Sequence, residues 1–251
     1  MILPARYQRF YDAIRSNLPP LPVERLEAGT IVFRSVKAQY DGVAPTADGA
    51  RTIRDGSTAD HRWTGERPRG PGRGALYLSL HLDALTNELL HYAKDSSLPV
   101  HPELGRVLTQ DALSSTTTFR YALTSSLMVV DLSLESSAGN AFLEQLRGQK
   151  AVREALAAEH FATLRQAYKA SEYSFCRALG HAVLDASAGL IDGLKVTSAR
   201  DEWAKIGETG ENLALFGDDR VPLRCLRVLS QTQYGKDAAG KLTQNVKRFA
   251  P

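Results

Sequence analysis

Several polar side chains interrupt otherwise apolar or glycine-rich segments, and their types are suited to chemistry on a charged ligand. Arg34 closes the apolar run Ile31-Val32-Phe33, and Arg62 stands beside Trp63 in a glycine- and arginine-rich stretch. Tyr77 lies within Leu76-Tyr77-Leu78-Ser79, and Glu88 within Ala84-Leu85-Thr86-Asn87-Glu88-Leu89-Leu90. Ser198 ends Gly193-Leu194-Lys195-Val196-Thr197, and Asn212 opens Leu213-Ala214-Leu215-Phe216. A guanidinium fork binds phosphate oxygens by paired, charge-assisted hydrogen bonds that an ammonium cannot match. A tyrosine face attracts positive charge, and a carboxylate stabilises the cation that grows in glycoside-type cleavage. Plainer roles compete with these: a surface charge for Arg34, a half-buried strand aromatic for Tyr77, a solvated helix residue for Glu88, an N-cap for Ser198.

The elements that must hold these residues are read from composition and period. A short helix at 7–16 leads into the proline-rich Leu18-Pro19-Pro20-Leu21-Pro22, which cannot continue it. The β-branched and aromatic residues of 30–35 predict a strand. Residues 41–74 have no apolar period and carry arginines 51, 54, 62, 67, 69 and 73, the pattern of a long loop of the kind that is functional or disordered. A strand at 76–80, a helix at 82–93 and a second loop at 94–118 follow. The strongest β region is 119–134. Helices are predicted at 138–147, 149–169 and 172–187, then strands at 193–197, 213–216 and 223–229. The order of elements predicts an α+β fold, with strands flanking a central helical block. One catalytic-sized domain is expected at 31–230, with insertions at 90–118 and 135–180. An N-terminal arm, 1–30, precedes it and a basic polar tail, 231–251, follows.

Composition narrows the field from outside. The 251 residues carry 31 basic and 28 acidic side chains, and a net charge of +3 is too small for a dedicated nucleic-acid binder. Two cysteines, Cys176 and Cys225, make no disulfide framework and no zinc spacing, so two buried free thiols are expected. The N-terminus shows no apolar signal region and no stretch nears the roughly 20 apolar residues of a membrane span. A cytoplasmic protein is therefore expected. Phosphate-loop, dinucleotide-fold, H-E-x-x-H and G-x-S-x-G motifs are all absent. The six histidines are scattered, and no metal is expected.

Taken in order, the polar residues and their flanks resemble the RES domain, named for its arginine, glutamate and serine. The matching pieces are Val32-Phe33-Arg34, Arg62-Trp63, Leu76-Tyr77-Leu78-Ser79 with Ala84 and Glu88, Asp192-Gly193-Leu194 leading to Ser198-Ala199-Arg200, and Asn212-Leu213-Ala214-Leu215-Phe216. The strand–tyrosine–helix–glutamate block is the most specific piece. Two departures stand out: Asp60-His61-Arg62-Trp63-Thr64 replaces a Gly-Gly-Arg-Trp-Asn pattern, and Thr197 stands where a proline is common.

The resemblance implies a mixed sheet of the ADP-ribosyltransferase type and a toxin that consumes NAD+. It implies that NAD+ is substrate, with its diphosphate held by Arg34 and Arg62 and its nicotinamide ring stacked on Tyr77. Glu88 would stand by the ribose, Ser198 would bond nicotinamide or a phosphate, and Trp63 and Asn212 would complete the binding set. Cleavage by water or phosphate depletes NAD+ (a glycohydrolase or a phosphorylase), whereas attack by a protein side chain gives ADP-ribosyl transfer. Such an activity implies a bacterial toxin with a cognate antitoxin, or an immunity protein if the chain is delivered into a target cell. The competing reading is a non-catalytic nucleic-acid-binding module built on the arginine-rich loop and basic tail. Against it, Asp55, Asp60 and Glu66 break the loop's charge, and no aromatic platform alternates with its basic residues.

Overall fold

The computed structural model describes residues 5–37, 63, 75–82, 116–170, 173–198, 210–216 and 225–249. The helix predicted at 82–93 beyond Leu82, the loop at 94–118 up to residue 115, Arg62 and Glu88 lie outside them. In chain order the described elements are α1 (Ala5–Arg15), β1 (Val23–Leu26), β2 (Ile31–Lys37), β3 (Ala75–Ser79), β4 (Thr116–Leu123) and β5 (Leu127–Leu132). Then come α2 (Ser137–Gly148), α3 (Lys150–Ala158), α4 (Leu164–Lys169), α5 (Ser174–Ser187), β6 (Gly193–Thr197), β7 (Glu211–Phe216), β8 (Leu226–Lys236) and β9 (Leu242–Arg248).

The described strands form one mixed sheet in the order β1-β5-β6-β7-β3-β2-β4-β8-β9. Only the β5–β6 pair is parallel. Parallel neighbours need a long crossover, and α2 to α5 supply it. The helical block is thus the layer that covers one face of the sheet. Val130, Leu132, Leu194, Val196, Ala214 and Phe216 pack from the sheet against Phe142, Leu146, Tyr168, Phe175 and Leu179 of the helices. The other face carries a second cluster, including Val32, Leu76, Leu78, Phe119, Tyr121, Val129, Leu213 and Leu215. The alternation of these residues along each strand is the two-residue period of a sheet with both faces buried.

The N-terminal segment is more than an arm. In α1, Phe10 and Ile14 are fully buried, each contributing about 1.5–3 kcal/mol of transfer free energy. Tyr7 shares a hydrogen bond with His181 on α5, Tyr11 donates to Asp185, and Arg6 and Arg9 pair with Glu159. The proline segment then delivers β1, which pairs with β5 and was not expected from sequence. The continuous β region expected at 119–134 divides into β4 and β5 around Thr124–Ser126. The helix expected at 149–169 divides into α3 and α4, with His160 at a left-handed φ of 61° between them. Thr163 restarts the helix through a capping box with Gln166. The polar tail is likewise structured, since β8 runs on to Lys236 and β9 pairs with it. Both cysteines are free, with Cys176 buried and Cys225 only half-buried.

Candidate functional site

The sheet has a weak seam. β2 pairs with β4 over seven residues and β3 with β7 over five, but β2 and β3 meet at the single pair Phe33–Ser79. Beyond that pair, among the described residues, no ladder joins them. The sheet is therefore two sub-sheets, β1-β5-β6-β7-β3 and β2-β4-β8-β9, hinged at one point. Arg34, Tyr77, Ser79 and Asn212 lie on or beside the strands that meet at this hinge.

Arg34 is the first residue past the hinge on β2. It stands directly opposite Phe119, which puts it on the face of Val32, Phe119 and Tyr121. It is half-buried, and among the described residues it makes no ion pair. Burial pulls its guanidinium below the usual arginine pKa, with Tyr121 opposing that shift. An arginine nonetheless stays protonated at neutral pH, so a partly desolvated positive charge sits without a carboxylate partner among the described residues. Burial in turn raises the Tyr121 phenol to about 12, with Arg34 working against the rise. The phenol is therefore a neutral donor beside a cation, a combination that suits an anionic oxygen.

Tyr77 leaves the opposite, helix-covered face, where its ring packs at the margin of the core. Its hydroxyl accepts the Trp63 backbone N–H at 2.9 Å. The Trp63 indole is 1% exposed and meets Tyr168 edge-on, 5.0 Å between centroids. Its ring is thus engaged in the core and presents no open face to a ligand. Gly180 on α5 permits this approach, because a Cβ there would lie 2.2 Å from the Trp63 carbonyl oxygen. Tyr168 continues the chain of contacts: its hydroxyl donates to the Leu132 carbonyl (3.1 Å) and accepts the Thr197 N–H (3.0 Å). Helices α4 and α5 thereby fix where β6 ends, and so where Ser198 stands.

Ser198 is buried, and its N–H donates to the Gly210 carbonyl at 2.8 Å, prolonging the β6–β7 pairing. It continues the alternation of Leu194 and Val196 on the helix-covered face. Asn212, across from Val196, shares that face and accepts a hydrogen bond from the Ser79 hydroxyl at 2.8 Å. Tyr77, Ser79, Asn212 and Ser198 thus occupy one face of three adjacent strands, while Arg34 leaves the reverse face of the strand just beyond. Ser79 is a polar partner in this group that the sequence motif contains but does not single out. Among the described residues no cluster of three or more histidine, cysteine, aspartate or glutamate side chains is placed to hold a metal.

The RES domain family model matches residues 31–237, most of the chain. The chain belongs to the RES domain family. No curated protein matches it. The family is in general an NAD-related module of toxin–antitoxin systems, and the mixed sheet with its helical layer agrees with the RES fold. Among the described residues, no helix of this RES domain is long and apolar enough to cross a membrane.

The RES sheet also holds a charged cluster that no motif announced. Lys195, 8% exposed, bonds Asp131 at 2.9 Å, reaches Glu211 at 3.7 Å and pairs with Glu24. Burial pulls its pKa down, but the bonds to Glu24 and Asp131 and the charges of Asp131 and Glu211 outweigh this and hold it above its ordinary value. Only register reveals the set, since its members come from four strands: β1, β5, β6 and β7.

Proposed function

We propose that this RES domain cleaves the nicotinamide–ribose bond of NAD+, depleting the pool by hydrolysis or phosphorolysis. The observation that carries the reading is Arg34, a partly buried guanidinium without a counter-ion among the described residues, at the hinge between two sub-sheets. The diphosphate of NAD+ is the counter-ion such a site lacks, and the Tyr121 phenol would donate to the same group. Because Arg34 and Tyr77 leave opposite faces, a ligand that reaches both must pass the hinge rather than lie flat on one face. A dinucleotide has that form, with two nucleosides joined through the diphosphate. The nicotinamide half then belongs on the side of Tyr77, Ser79, Asn212 and Ser198.

In the reaction the C1′–N bond breaks, its electron pair leaves with nicotinamide, and the ribose carries an oxocarbenium-like charge. Glu88 would stabilise that charge, a role that rests on the family resemblance. Water or phosphate then bonds to C1′, and in hydrolysis a proton is released. This reading has the chain act in the cytoplasm, where an enzyme that drains NAD+ needs a cognate antitoxin or an immunity protein.

Purified protein incubated with NAD+, with and without phosphate and with and without cell lysate, tests the proposal by release of free nicotinamide. Release without lysate is expected, and dependence on phosphate separates phosphorolysis from hydrolysis. Arg34→Ala and Glu88→Ala should each suppress release by at least about a hundredfold. Label transferred to a lysate protein in place of free ADP-ribose would turn the reading to ADP-ribosyl transfer. No release from the wild type, or full release from both variants, would overturn it.

A further inference from the structure

The two edges of the sheet are built differently. β1, at one end of the strand order, has four residues, follows Pro22 and pairs its Glu24 with Lys195. β9, at the other end, runs seven residues in unbroken register with β8 and contains no proline. The hydrogen bonds that bracket this ladder fix its phase. At one end the Phe249 N–H donates to the Leu229 carbonyl, and at the other the Asp237 N–H donates to the Lys241 carbonyl. Antiparallel pairs alternate between exchanging both bonds and exchanging none, so Thr243, Asn245 and Lys247 bond inward to β8. Gln244, Val246 and Arg248 then aim their N–H and C=O groups outward, where no strand meets them among the described residues. All three residues are exposed. A long, regular edge of this kind is a template for another strand. β9 lies wholly beyond residue 237, where the family match ends, so the family pattern does not account for it.

The charge of this edge selects what pairs with it. Lys241, Lys247 and Arg248 are exposed and form no ion pair among the described residues. The nearby carboxylate of Asp237 accepts the N–H groups of Ala239 and Lys241 and so closes the turn. Basic residues on an edge discourage pairing with a like strand, since two β9 strands side by side would bring Lys247 and Arg248 of both copies into one ribbon. Opposite charges across a strand pair attract, so the same residues admit a strand that carries glutamate or aspartate. Val246, 45% exposed, adds an apolar spot at the middle of the edge. A nucleic acid has no N–H and C=O ladder to match the outward groups. Phe249, the neighbouring aromatic ring, already lies under the Lys247 ammonium, 5.2 Å from it.

We infer that β9 is a docking edge for an acidic, extended segment of a partner protein, which joins the sheet as a further strand. Main-chain hydrogen bonds to Gln244, Val246 and Arg248 supply the attachment, and carboxylates beside Lys247 and Arg248 supply the selectivity. The inference stands apart from the NAD+ reading, because Arg34 and Tyr77 take no part in it. Selection of short random peptides on phage against the full chain, followed by NMR hydrogen exchange with the enriched peptides, tests it. The enriched peptides should be acidic and rich in β-branched residues. Once bound, they should slow exchange of the Gln244, Val246 and Arg248 amides at least about tenfold. The Thr243, Asn245 and Lys247 amides, already bonded to β8, should not change. Val246→Pro removes only an outward N–H, so it should keep the melting temperature and weaken peptide binding at least about tenfold. Lys247→Glu together with Arg248→Glu should turn the selection toward basic peptides. No enrichment, or no added protection of the three outward amides, would overturn the proposal, and this readout on the wild type decides even where the proline variant loses stability. Protection of the same amides by self-association without peptide would assign the edge to a second copy instead. Binding of a single-stranded oligonucleotide in place of acidic peptides would make it a nucleic-acid surface, and either result overturns the inference.

Discussion

Lys195 on β6 and Arg34 on β2 project from the same face of one sheet, the first buried and the second half-buried, yet their surroundings differ in kind. Lys195 is surrounded by Glu24, Asp131 and Glu211, which hold its proton more tightly than water does. Arg34 has Phe119 across the ladder and Tyr121 nearby, and its proton is held less tightly than in water. The first cation is saturated by the fold itself and ties together the four strands β1, β5, β6 and β7. The second faces a phenol and an aromatic ring, with no carboxylate paired to it among the described residues. A buried charge left unpaired costs free energy unless something external neutralises it. The comparison separates a cation tied by carboxylates into the sheet from one that has no carboxylate beside it among the described residues.

The largest expected effect lies on the structural side of that contrast. Lys195→Met leaves Asp131, 3% exposed, without its cation, and breaking such a buried pair typically costs about 3–5 kcal/mol. Urea denaturation should show this loss as a lowered midpoint with an unchanged slope. Adding Asp131→Leu to the same chain should recover much of the stability, because an apolar pair of similar size replaces the broken ion pair. A single variant as stable as the wild type would mean that Lys195 is no keystone, and the distinction between the two cations would collapse.

Arg34→Met should behave in the reverse sense. Removing a desolvated cation that has no ion-pair partner among the described residues costs the fold little, and stability should stay within about 1 kcal/mol of the wild type or rise. Binding of NAD+ or ADP-ribose should fall roughly a hundredfold, the scale of one charge-assisted bidentate contact. Denaturation and calorimetry on the same preparation decide the matter. Lost stability with retained binding would make Arg34 another structural cation.

How much of this was legible beforehand follows from how local each feature is. Arg34, Tyr77, Ser198 and Asn212 stand out in sequence because each interrupts or borders an apolar strand, and the helices of the central block announce themselves by their apolar period. β1 was hidden because four residues after a proline run carry no strand pattern of their own; they become a strand only by pairing with β5. β9 and the end of β8 were hidden because Gln231, Gln233, Asn245 and Lys247 alternate polar with polar, which reads as a tail until the register is known. The break at His160 lies within an apolar period that continues on either side of it. Trp63 follows the same logic: a tryptophan beside an arginine suggests a ligand contact, while the burial of its ring shows only in its packing against Tyr168 and Gly180. Local pattern exposes the residues that punctuate strands, while long-range pairing decides which of them meet.

The smallest effect probes the Arg34 side through its neighbour. The Tyr121 phenol is raised from its ordinary value of 10 to about 12 in the folded protein, chiefly by burial, with the Arg34 charge holding it from going higher. Below pH 10 both folded and unfolded chains keep this proton, so the group contributes its full stability. As pH rises from about 10 to 12 the unfolded chain releases it first, and stability falls through that window. Lys195, also raised, adds to the fall above its ordinary value of 10.5, whereas Arg34, being lowered, works in the opposite sense. Tyr121→Phe should therefore flatten the alkaline decline by about 1–2 kcal/mol and leave neutral stability nearly unchanged. The phenolate absorbance attributable to Tyr121, taken as the difference from Tyr121→Phe, should titrate still higher in Arg34→Met, because the neighbouring positive charge that favours the phenolate is gone. The same substitution should move no tyrosine titration when Lys195→Met is made instead. If the Tyr121 midpoint is the same with and without Arg34, the two groups do not share an environment, and the pairing of a neutral donor with the Arg34 cation in the proposed site is lost.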